Sequence, residues 1–482
     1  MSKFICFHGH FYQPPRENPW TQKIDEQPSA HPYHDWNERI NAECYGALAK
    51  LNVYEKISFN FGPTLLSWMA QHAADVYERI IRADKVSLLR FDGCGNAMAQ
   101  AYNHMILPLS NERDKQTQVV WGIRDFEHRF GRTPLGMWLP ETAVNVDTLE
   151  VLARHELKFT VLAPKQASRI RKIGDTKWED VHHGSIETKR LYECRLPSGK
   201  SIIIFFYDAH ISSKLAFGPY TRSIIRFEHG LEHEIDRDFD EDAIIHGAVD
   251  GETYGHHQKK GHLVLNEVLH GLKVRDDVAL TNYEYFFMHH PPTYEVEIFE
   301  NTAWSCESGL NRWFMDDRHS YDASTRRVHK WREVLRNSLD WLRERLIEVY
   351  EKEMMAICRD PWALRDEYVR YLLTKDASII ETKLSDAGSL PKALKLLEMQ
   401  KMAMFMYTSC GWFFEDISRI ETVQILRYAA RAIQHGRELS GLDFMPEFLG
   451  SLENAISKDP RIENGKRLFL EQVMPLMKGA SA

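Results

Sequence analysis

Short apolar runs recur through the first half of the chain, and each is followed by polar or glycine-bearing residues and then by a segment with helical spacing. This alternation predicts repeated β-strand–α-helix units. Long crossovers between the strands indicate a parallel sheet, and the pattern leaves open whether it closes into a barrel or stays open and doubly wound. The predicted strands are residues 4–7, 57–61, 86–91, 135–139, 159–162, 201–206 and 244–249.

The second half of the chain has a different pattern, which predicts mainly α-helix from about residue 325 onward. Asp360-Pro361 is typical of a helix start, and Gly436 predicts a helix end. We therefore predict two domains, a barrel with a closing segment over 1–320 and an α-helical domain over 321–482. The residues with three-and-four spacing are Val328, Trp331, Leu335, Leu339, Leu342, Leu346 and Val349.

Composition narrows the class of protein. The 482 residues include 43% hydrophobic residues, enough for a large core. The net charge of −8, with acids and bases interspersed, argues against a nucleic-acid partner. The seven cysteines are scattered, and the N-terminus lacks the apolar core of a secretory signal. No stretch resembles a membrane span. These features predict a cytoplasmic protein without a membrane partner.

Two acidic residues follow predicted strands. Glu141 comes after the run 135–139, and Asp250 comes directly after 244–249. Ends of parallel barrel strands meet at one face, so the two carboxyls can converge despite their separation in sequence. Retaining glycoside cleavage needs such a pair at roughly 5 to 5.5 Å. The local patterns are equally compatible with Glu141 capping the helix that begins near Asn145 and Asp250 solvating a turn.

Five segments together resemble glycoside hydrolase family 57. Their order and their placement after successive strands make the set more specific than any one of them. The resemblance covers roughly the first three hundred residues, and the helical remainder, with TSCGWFFE at 408–415, is similar to the C-terminal domain of an uncharacterised branch of the family. The segments are HGHFYQP (8–14), NFGPTL (60–65), WLPE (138–141), DGETYGHHQ (250–258) and, resting mainly on one tryptophan, TAWS (302–305).

The resemblance implies a fold, a reaction and roles for two residues. It implies an incomplete (β/α)7 barrel of parallel strands, followed here by the helical domain, and a retaining enzyme acting on α-glucans without a cofactor. Glu141 is then the nucleophile, and Asp250 is the general acid and base. Family activities include α-amylase, 4-α-glucanotransferase, branching enzyme and α-galactosidase. The motifs do not choose among these, nor between water and a sugar hydroxyl as acceptor.

Substrate contacts are predicted for polar and aromatic side chains. The resemblance places His8 and His10 beside the reacting sugar, and aromatic rings suit sugar C–H faces. A competing interpretation is zinc ligation by His8 and His10 with His104 or His256. The predicted substrate-binding residues are His8, His10, Gln13, Trp138, His104, His256, Trp304 and Trp412.

Two other functions remain open at this point. A metal-dependent carbohydrate deacetylase on a similar partial barrel would use the histidines as zinc ligands and an acid as base. A catalytically silent glucan-binding protein would keep the cleft without productive geometry. An oligo- or polysaccharide is the expected partner in each case, and the sequence does not indicate an oligomeric state.

Overall fold

A computed structural model of the chain describes residues 2–239, 241–315 and 330–479. They form two compact units. The barrel unit comprises Met1–Gln13, Glu26–Ala101 and Phe126–Trp304, and the helical unit comprises Pro14–Asp25, Tyr102–Asp125 and Ser305–Ala482. Val328 and the predicted boundary at 320 lie outside the described residues, and the division into 1–320 and 321–482 stays a prediction.

Seven parallel strands form an open barrel in the barrel unit. Their order is β10-β1-β2-β3-β4, continued by a parallel bridge from Gly136 to Phe159 into β5 and then β9. This confirms the predicted incomplete (β/α)7 barrel. The strands are β1 Lys3–Phe11, β2 Ser58–Phe61, β3 Ala97–Gln100, β4 Met137–Trp138, β5 Phe159–Leu162, β6 Ala167–Lys172, β7 Glu179–Asp180, β8 Tyr192–Arg195, β9 Ser201–Phe206, β10 Ala243–Asp250, β11 Ala279–Leu280 and β12 Tyr294–Ile298.

The remaining strands extend this architecture on one side. β9 continues through β8, β12, β6 and β7 in a mainly antiparallel ribbon, while β11 adds a short parallel pairing to β1. The sequence pattern did not predict this ribbon. Its strands are short or partly exposed, so they lack the continuous apolar runs by which the barrel strands were recognised.

One predicted strand is wrong. Residues 86–90 form the end of the helix Ala74–Arg90, which Phe91 follows, and the buried helix positions Val76, Ile80, Ala83 and Ser87 have helical spacing. The strand in this part of the barrel is β3, which contains no β-branched residue and is therefore hard to recognise from the sequence. The other six predicted strands coincide with or overlap observed ones.

Helices follow the barrel strands. The helix Glu112–Phe130 contributes residues to both units. The helices of the barrel unit are Trp36–Ile40, Gly46–Lys50, Pro63–His72, Ala74–Arg90, Val146–Arg154, Ala209–Ala216, Ile224–Ile235, Gly261–Lys273 and Tyr283–His289.

Large side chains fill the inside of the barrel. Trp138, Phe159, Phe205 and Tyr283 are fully buried members of one apolar cluster, to which β1, β3, β4, β5, β9 and β10 all contribute. The strands are buried nearly throughout, as expected for a parallel sheet covered by helices. This packed interior fixes the strand ends, from which the candidate site is built.

The helical unit is held by long amphipathic helices. Asp360 accepts a hydrogen bond from Ala363 N at 3.0 Å, which confirms the predicted helix start. The predicted end at Gly436 is wrong, because the helix continues to Ser440 and Gly441 follows it with φ 75°. The helices are Trp331–Met355, Pro361–Thr374, Ser378–Glu381, Leu390–Phe405, Cys410–Phe413, Ile420–Ser440, Met445–Leu452, Gly465–Leu468 and Met474–Gly479. No helix among the described residues is long and apolar enough to cross a membrane.

Candidate active site

Two histidines near the end of β1 are held by the neighbouring strand β2. The fully buried His8 is bonded through Nδ1 to Ser58 Oγ at 3.1 Å and through Nε2 to Asn60 Oδ1 at 2.9 Å. Burial lowers the pKa of both His8 and His10 to about 3, so both rings are neutral near pH 7. Because both ring nitrogens of His8 are engaged, its predicted sugar contact is not supported, and it acts as a support for Asn60.

Asn60 also forms hydrogen bonds to His10 and to β3. Its Nδ2 donates to His10 Nδ1 at 2.9 Å and to Gln100 Oε1 at 2.7 Å. Since Nδ1 of His10 is an acceptor here, its Nε2 carries the proton and is the donor of the ring. Sequence reasoning missed Gln100, although a polar residue at the last position of a buried strand was an available signal.

Trp138, at the end of β4, lies beneath both histidines. Its ring stacks on His8 at 4.7 Å between centroids and on His10 at 5.2 Å, and it meets Trp304 edge-on at 5.3 Å. Trp138 is fully buried, so it forms the floor of the site. Its predicted substrate contact is therefore not supported in this arrangement, whereas the half-buried Trp304 retains an accessible surface.

Glu141 lies three residues beyond β4 in a strained turn. Its backbone is left-handed, with φ 58° and ψ 21°, a conformation that costs a side-chain-bearing residue of order 1 kcal/mol. Trp304 Nε1 donates to Glu141 Oε2 at 3.0 Å, and Trp304 N donates to the Glu141 carbonyl at 3.1 Å. The segment TAWS (302–305), which has the weakest resemblance of the five, thus orients this carboxylate directly.

Asp250 is the last residue of β10 and pairs in register with His10 of β1. It is accessible to solvent although the strand before it is buried. Desolvation by the surrounding protein raises the pKa of Asp250 well above its ordinary value, and the negative charges of Glu141 and Glu252 raise it further. The carboxyls of Glu141 and Asp250 are therefore electrostatic neighbours at the strand ends.

Tyr207 completes the surroundings of Asp250. It follows β9, is largely buried, and meets Trp304 edge-on at 6.2 Å. Burial, and next the charge of Asp250, raise the pKa of its hydroxyl, which is therefore a neutral donor at all physiological pH values. Sequence reasoning missed Tyr207, because an aromatic residue after an apolar run carries no distinctive signal.

Two other predicted residues lie on segments adjoining Asp250. The Gln13 side chain hydrogen-bonds Glu252. His256 pairs through Nδ1 with Glu43 Oε2 at 2.5 Å, and its ring meets Trp36 edge-on at 5.8 Å. Both side chains have protein partners, and their contact with substrate stays a prediction.

His104 and Trp412 belong to the helical unit. His104 shares a hydrogen bond with Ser409 Oγ through Nδ1 at 2.5 Å, and Trp412 donates from Nε1 to the Met406 carbonyl at 3.3 Å. Both side chains are almost completely buried within that unit. Packing accounts for both of them, so their predicted substrate contacts are not supported.

The histidines do not form a metal site with other ligands in the described part of the chain. No group of three or more His, Cys, Asp and Glu side chains there is arranged to hold a metal ion. Zinc ligation by His8 would also require it to give up a hydrogen bond to Ser58 or Asn60. The described residues therefore give no support to the interpretation as a zinc-dependent deacetylase.

Glu141, oriented by Trp304, and Asp250, whose pKa is raised in part by the charge of Glu141, are the two carboxyl groups that this end of the barrel brings together. A family model described as glycosyl hydrolase family 57 matches residues 50–298, slightly more than half of the chain. The chain belongs to glycosyl hydrolase family 57, and is thus a glycoside hydrolase or glycosyl-transferring enzyme with a carbohydrate substrate. A second model, a domain of unknown function (DUF3536), matches residues 328–481. No curated protein matches the sequence.

Solved structures similar to this chain share its fold. An exo-type maltose-forming amylase from Pyrococcus sp. ST04 has a TM-score of 0.75 at 14% identity, over 99% of this chain and 94% of that one. An α-amylase from Thermotoga maritima has a TM-score of 0.59 at 13% identity, over 99% of both chains. A family 57 branching enzyme from Thermococcus kodakaraensis has a TM-score of 0.58 at 16% identity, over 99% and 96%.

Proposed function

We propose that this protein is a retaining enzyme that cleaves or transfers α-glucan chains. The observation that carries the proposal is the pairing of Glu141, oriented by Trp304, with Asp250, whose pKa is raised by its surroundings and by Glu141 itself. The substrate class is supported by the similar structures, whose names include maltose-forming amylase, α-amylase and branching enzyme.

In the proposed mechanism, Glu141 attacks the anomeric carbon as Asp250 gives its proton to the departing glycosidic oxygen. The bond from carbon to that oxygen breaks, and an ester bond from carbon to Glu141 forms. Asp250, now ionised, then takes a proton from the acceptor hydroxyl, which attacks the same carbon and releases Glu141. Water as acceptor gives hydrolysis, and a sugar hydroxyl gives transfer.

Two further side chains serve the reacting sugar in this proposal. His10 is neutral and has Nε2–H as its donor, so it can bond a sugar hydroxyl without adding a charge beside the carboxyls. Trp304 offers an accessible part of its indole for sugar C–H packing while its N–H stays on Glu141. A cytoplasmic location remains part of the proposal and is supported by seven free cysteines, six of them buried.

Incubation with maltooligosaccharides and with amylose, followed by chain-length analysis of the products, tests the proposal. We expect the protein to consume these substrates. If water is the acceptor, the products are shortened chains with new reducing ends. Redistributed lengths at a constant number of reducing ends indicate transfer. A protein that is folded but leaves all these substrates unchanged over several days would contradict the α-glucan assignment.

Trp304→Phe is expected to lower kcat by about 10- to 100-fold, because it removes a hydrogen bond to a charged carboxylate. Phenylalanine keeps an aromatic ring against Trp138 and His10, so the unfolding midpoint should change little. Steady-state kinetics and thermal unfolding check both parts. An unchanged kcat would show that the indole N–H does not serve the nucleophile.

A further inference from the structure

The turn that carries Glu141 contains two left-handed residues in succession. Glu141 has φ 58° and Thr142 has φ 49°, a conformation that is unfavourable for any residue with a side chain and most of all for a β-branched one. The turn itself supplies only short-range hydrogen bonds, from Thr142 N to the Leu139 carbonyl and from Ala143 N to the Pro140 carbonyl, each at 2.9 Å. Such a conformation persists where the surrounding structure holds it.

The side chain of Gln166, which lies between β5 and β6, holds this turn. Thr142 Oγ1 donates to Gln166 Oε1 at 2.9 Å, and Gln166 Nε2 donates to the Thr142 carbonyl at 2.8 Å. Gln166 Nε2 also donates to the Thr302 carbonyl at 3.1 Å, and Oε1 accepts from Ala163 N at 2.8 Å. A glutamine amide has two hydrogens to donate and two lone pairs to accept with, so this fully buried side chain uses its complete capacity.

Thr142 connects this amide to the group that orients Glu141. Trp304 N donates to Thr142 Oγ1 and to the Glu141 carbonyl, each at 3.1 Å. Trp304 Nε1 donates to Glu141 Oε2 at 3.0 Å. Because the Thr142 hydroxyl gives its single hydrogen to Gln166, its oxygen is left as an acceptor for Trp304 N. The contacts from Gln166 through Thr142 and Trp304 therefore end on the carboxylate of Glu141.

We infer that Gln166 is a positioning residue for the nucleophile. It holds Thr142 and the segment 302–304 together, so that the Glu141 carboxylate and the indole that orients it keep one arrangement. This inference rests on the proposed function, in which Glu141 attacks the anomeric carbon. Misplacing a reacting group by about 1 Å costs on the order of 10²-fold in rate. Gln166 is fully buried and acts through Thr142 and Trp304.

Gln166→Met tests this, because methionine keeps the length of the side chain and removes all four hydrogen bonds. We expect kcat on maltooligosaccharides to fall by about 10- to 100-fold with KM within about twofold, since the sugar contacts remain and only the geometry of the reacting carboxylate is lost. An unchanged kcat in folded protein, or a loss confined to KM, would overturn the inference.

A pair of substitutions at Thr142 keeps the test decisive if Gln166→Met does not fold. Thr142→Ser keeps the hydroxyl between Gln166 Oε1 and Trp304 N, whereas Thr142→Val keeps the branched shape without a donor or acceptor. We expect kcat near the wild-type value in the serine variant and a deficit of about 10- to 100-fold in the valine variant. Equal kcat values for the two variants contradict the inference.

The matched control is Gln118→Met. Gln118 is a fully buried glutamine of the helical unit, and its amide bonds Asn103 N at 3.0 Å, Asn103 Oδ1 and Met404 Sδ at 3.6 Å. This variant is expected to unfold more easily and to keep the wild-type kcat. A deficit in kcat equal to that of Gln166→Met would attribute the effect to general loosening and would also overturn the inference.

The indole N–H of Trp304 gives a readout that does not depend on activity. In protein labelled with ¹⁵N at tryptophan, its resonance is the one that disappears in Trp304→Phe. We expect this proton to move upfield and to exchange faster with solvent in Gln166→Met, because its bond to Glu141 is loosened, and to stay unchanged in Gln118→Met. An unchanged resonance in Gln166→Met contradicts the inference. If the wild-type protein leaves all α-glucans untouched, the proposed function fails while this measurement still decides the role of Gln166.

Discussion

Glu141→Ala is expected to lower the rate of glucan turnover by at least about 10⁴-fold, because in the proposed mechanism Glu141 forms the covalent intermediate. Azide should restore activity on an aryl α-glucoside by entering the space of the missing carboxylate and attacking the anomeric carbon directly. A single displacement inverts the configuration, so the product is the β-glycosyl azide. Proton NMR of the anomeric position distinguishes it from the α-form.

Asp250→Ala is the matched variant, and it should fail in a different way. An aryl leaving group needs little protonation, so the first step should survive, while turnover of amylose should fall by about 10²- to 10⁴-fold. Azide then attacks the glycosyl-enzyme, and the two inversions give the α-glycosyl azide. If both variants yield the same anomer, or neither responds to azide, the assigned roles of the two carboxyls are wrong.

Arg365→Leu is expected to reduce the free energy of unfolding of the helical unit by about 3 to 5 kcal/mol, because it leaves a buried carboxylate without its partner. Arg365 is fully buried, bonds Asp114 Oδ1 at 2.8 Å, Thr117 Oγ1 at 2.9 Å and Gln400 Oε1 at 3.1 Å, and stacks on Trp362. Denaturant unfolding followed by circular dichroism measures the change in midpoint.

Arg370→Leu provides the comparison on the same helix. Arg370 is more than half exposed and pairs with Glu367 at 2.9 Å, so its loss should change the free energy of unfolding by at most about 1 kcal/mol. Equal midpoints for the two variants would mean that the Arg365–Asp114 pair does not stabilise the helical unit.

The barrel was predictable because its strands are buried on both faces. β5, β9 and β10 are mostly apolar and buried along nearly their whole length, and such runs can be recognised without knowing which strands lie beside them. β3 could not be found in this way, since its sequence AMAQ has no strand preference, and its place is fixed by pairing with β2 and β4. The extended conformation of β3 is therefore determined by its neighbours in the sheet, and the local sequence pattern does not contain that information.

Only those features of the candidate site that depend on residues adjacent in the sequence could be predicted. Glu141 and Asp250 were singled out because each acid follows an apolar run, and the resemblance to the family supplied their predicted roles. Asn60, Gln100 and Tyr207 gain their roles from side chains on other strands, so their contacts follow from the register of the sheet. The same reason explains His8, which the motif marks as strongly as His10 but whose two ring nitrogens are both bonded to side chains of β2.

The left-handed backbone at Glu141 has an evolutionary consequence. Glycine or asparagine would occupy that turn with less strain, so folding alone favours replacing the very residue that the proposed chemistry requires. Descendants of this protein that no longer need to turn over sugar should therefore lose the acid at this position early, and gain robustness as they do so.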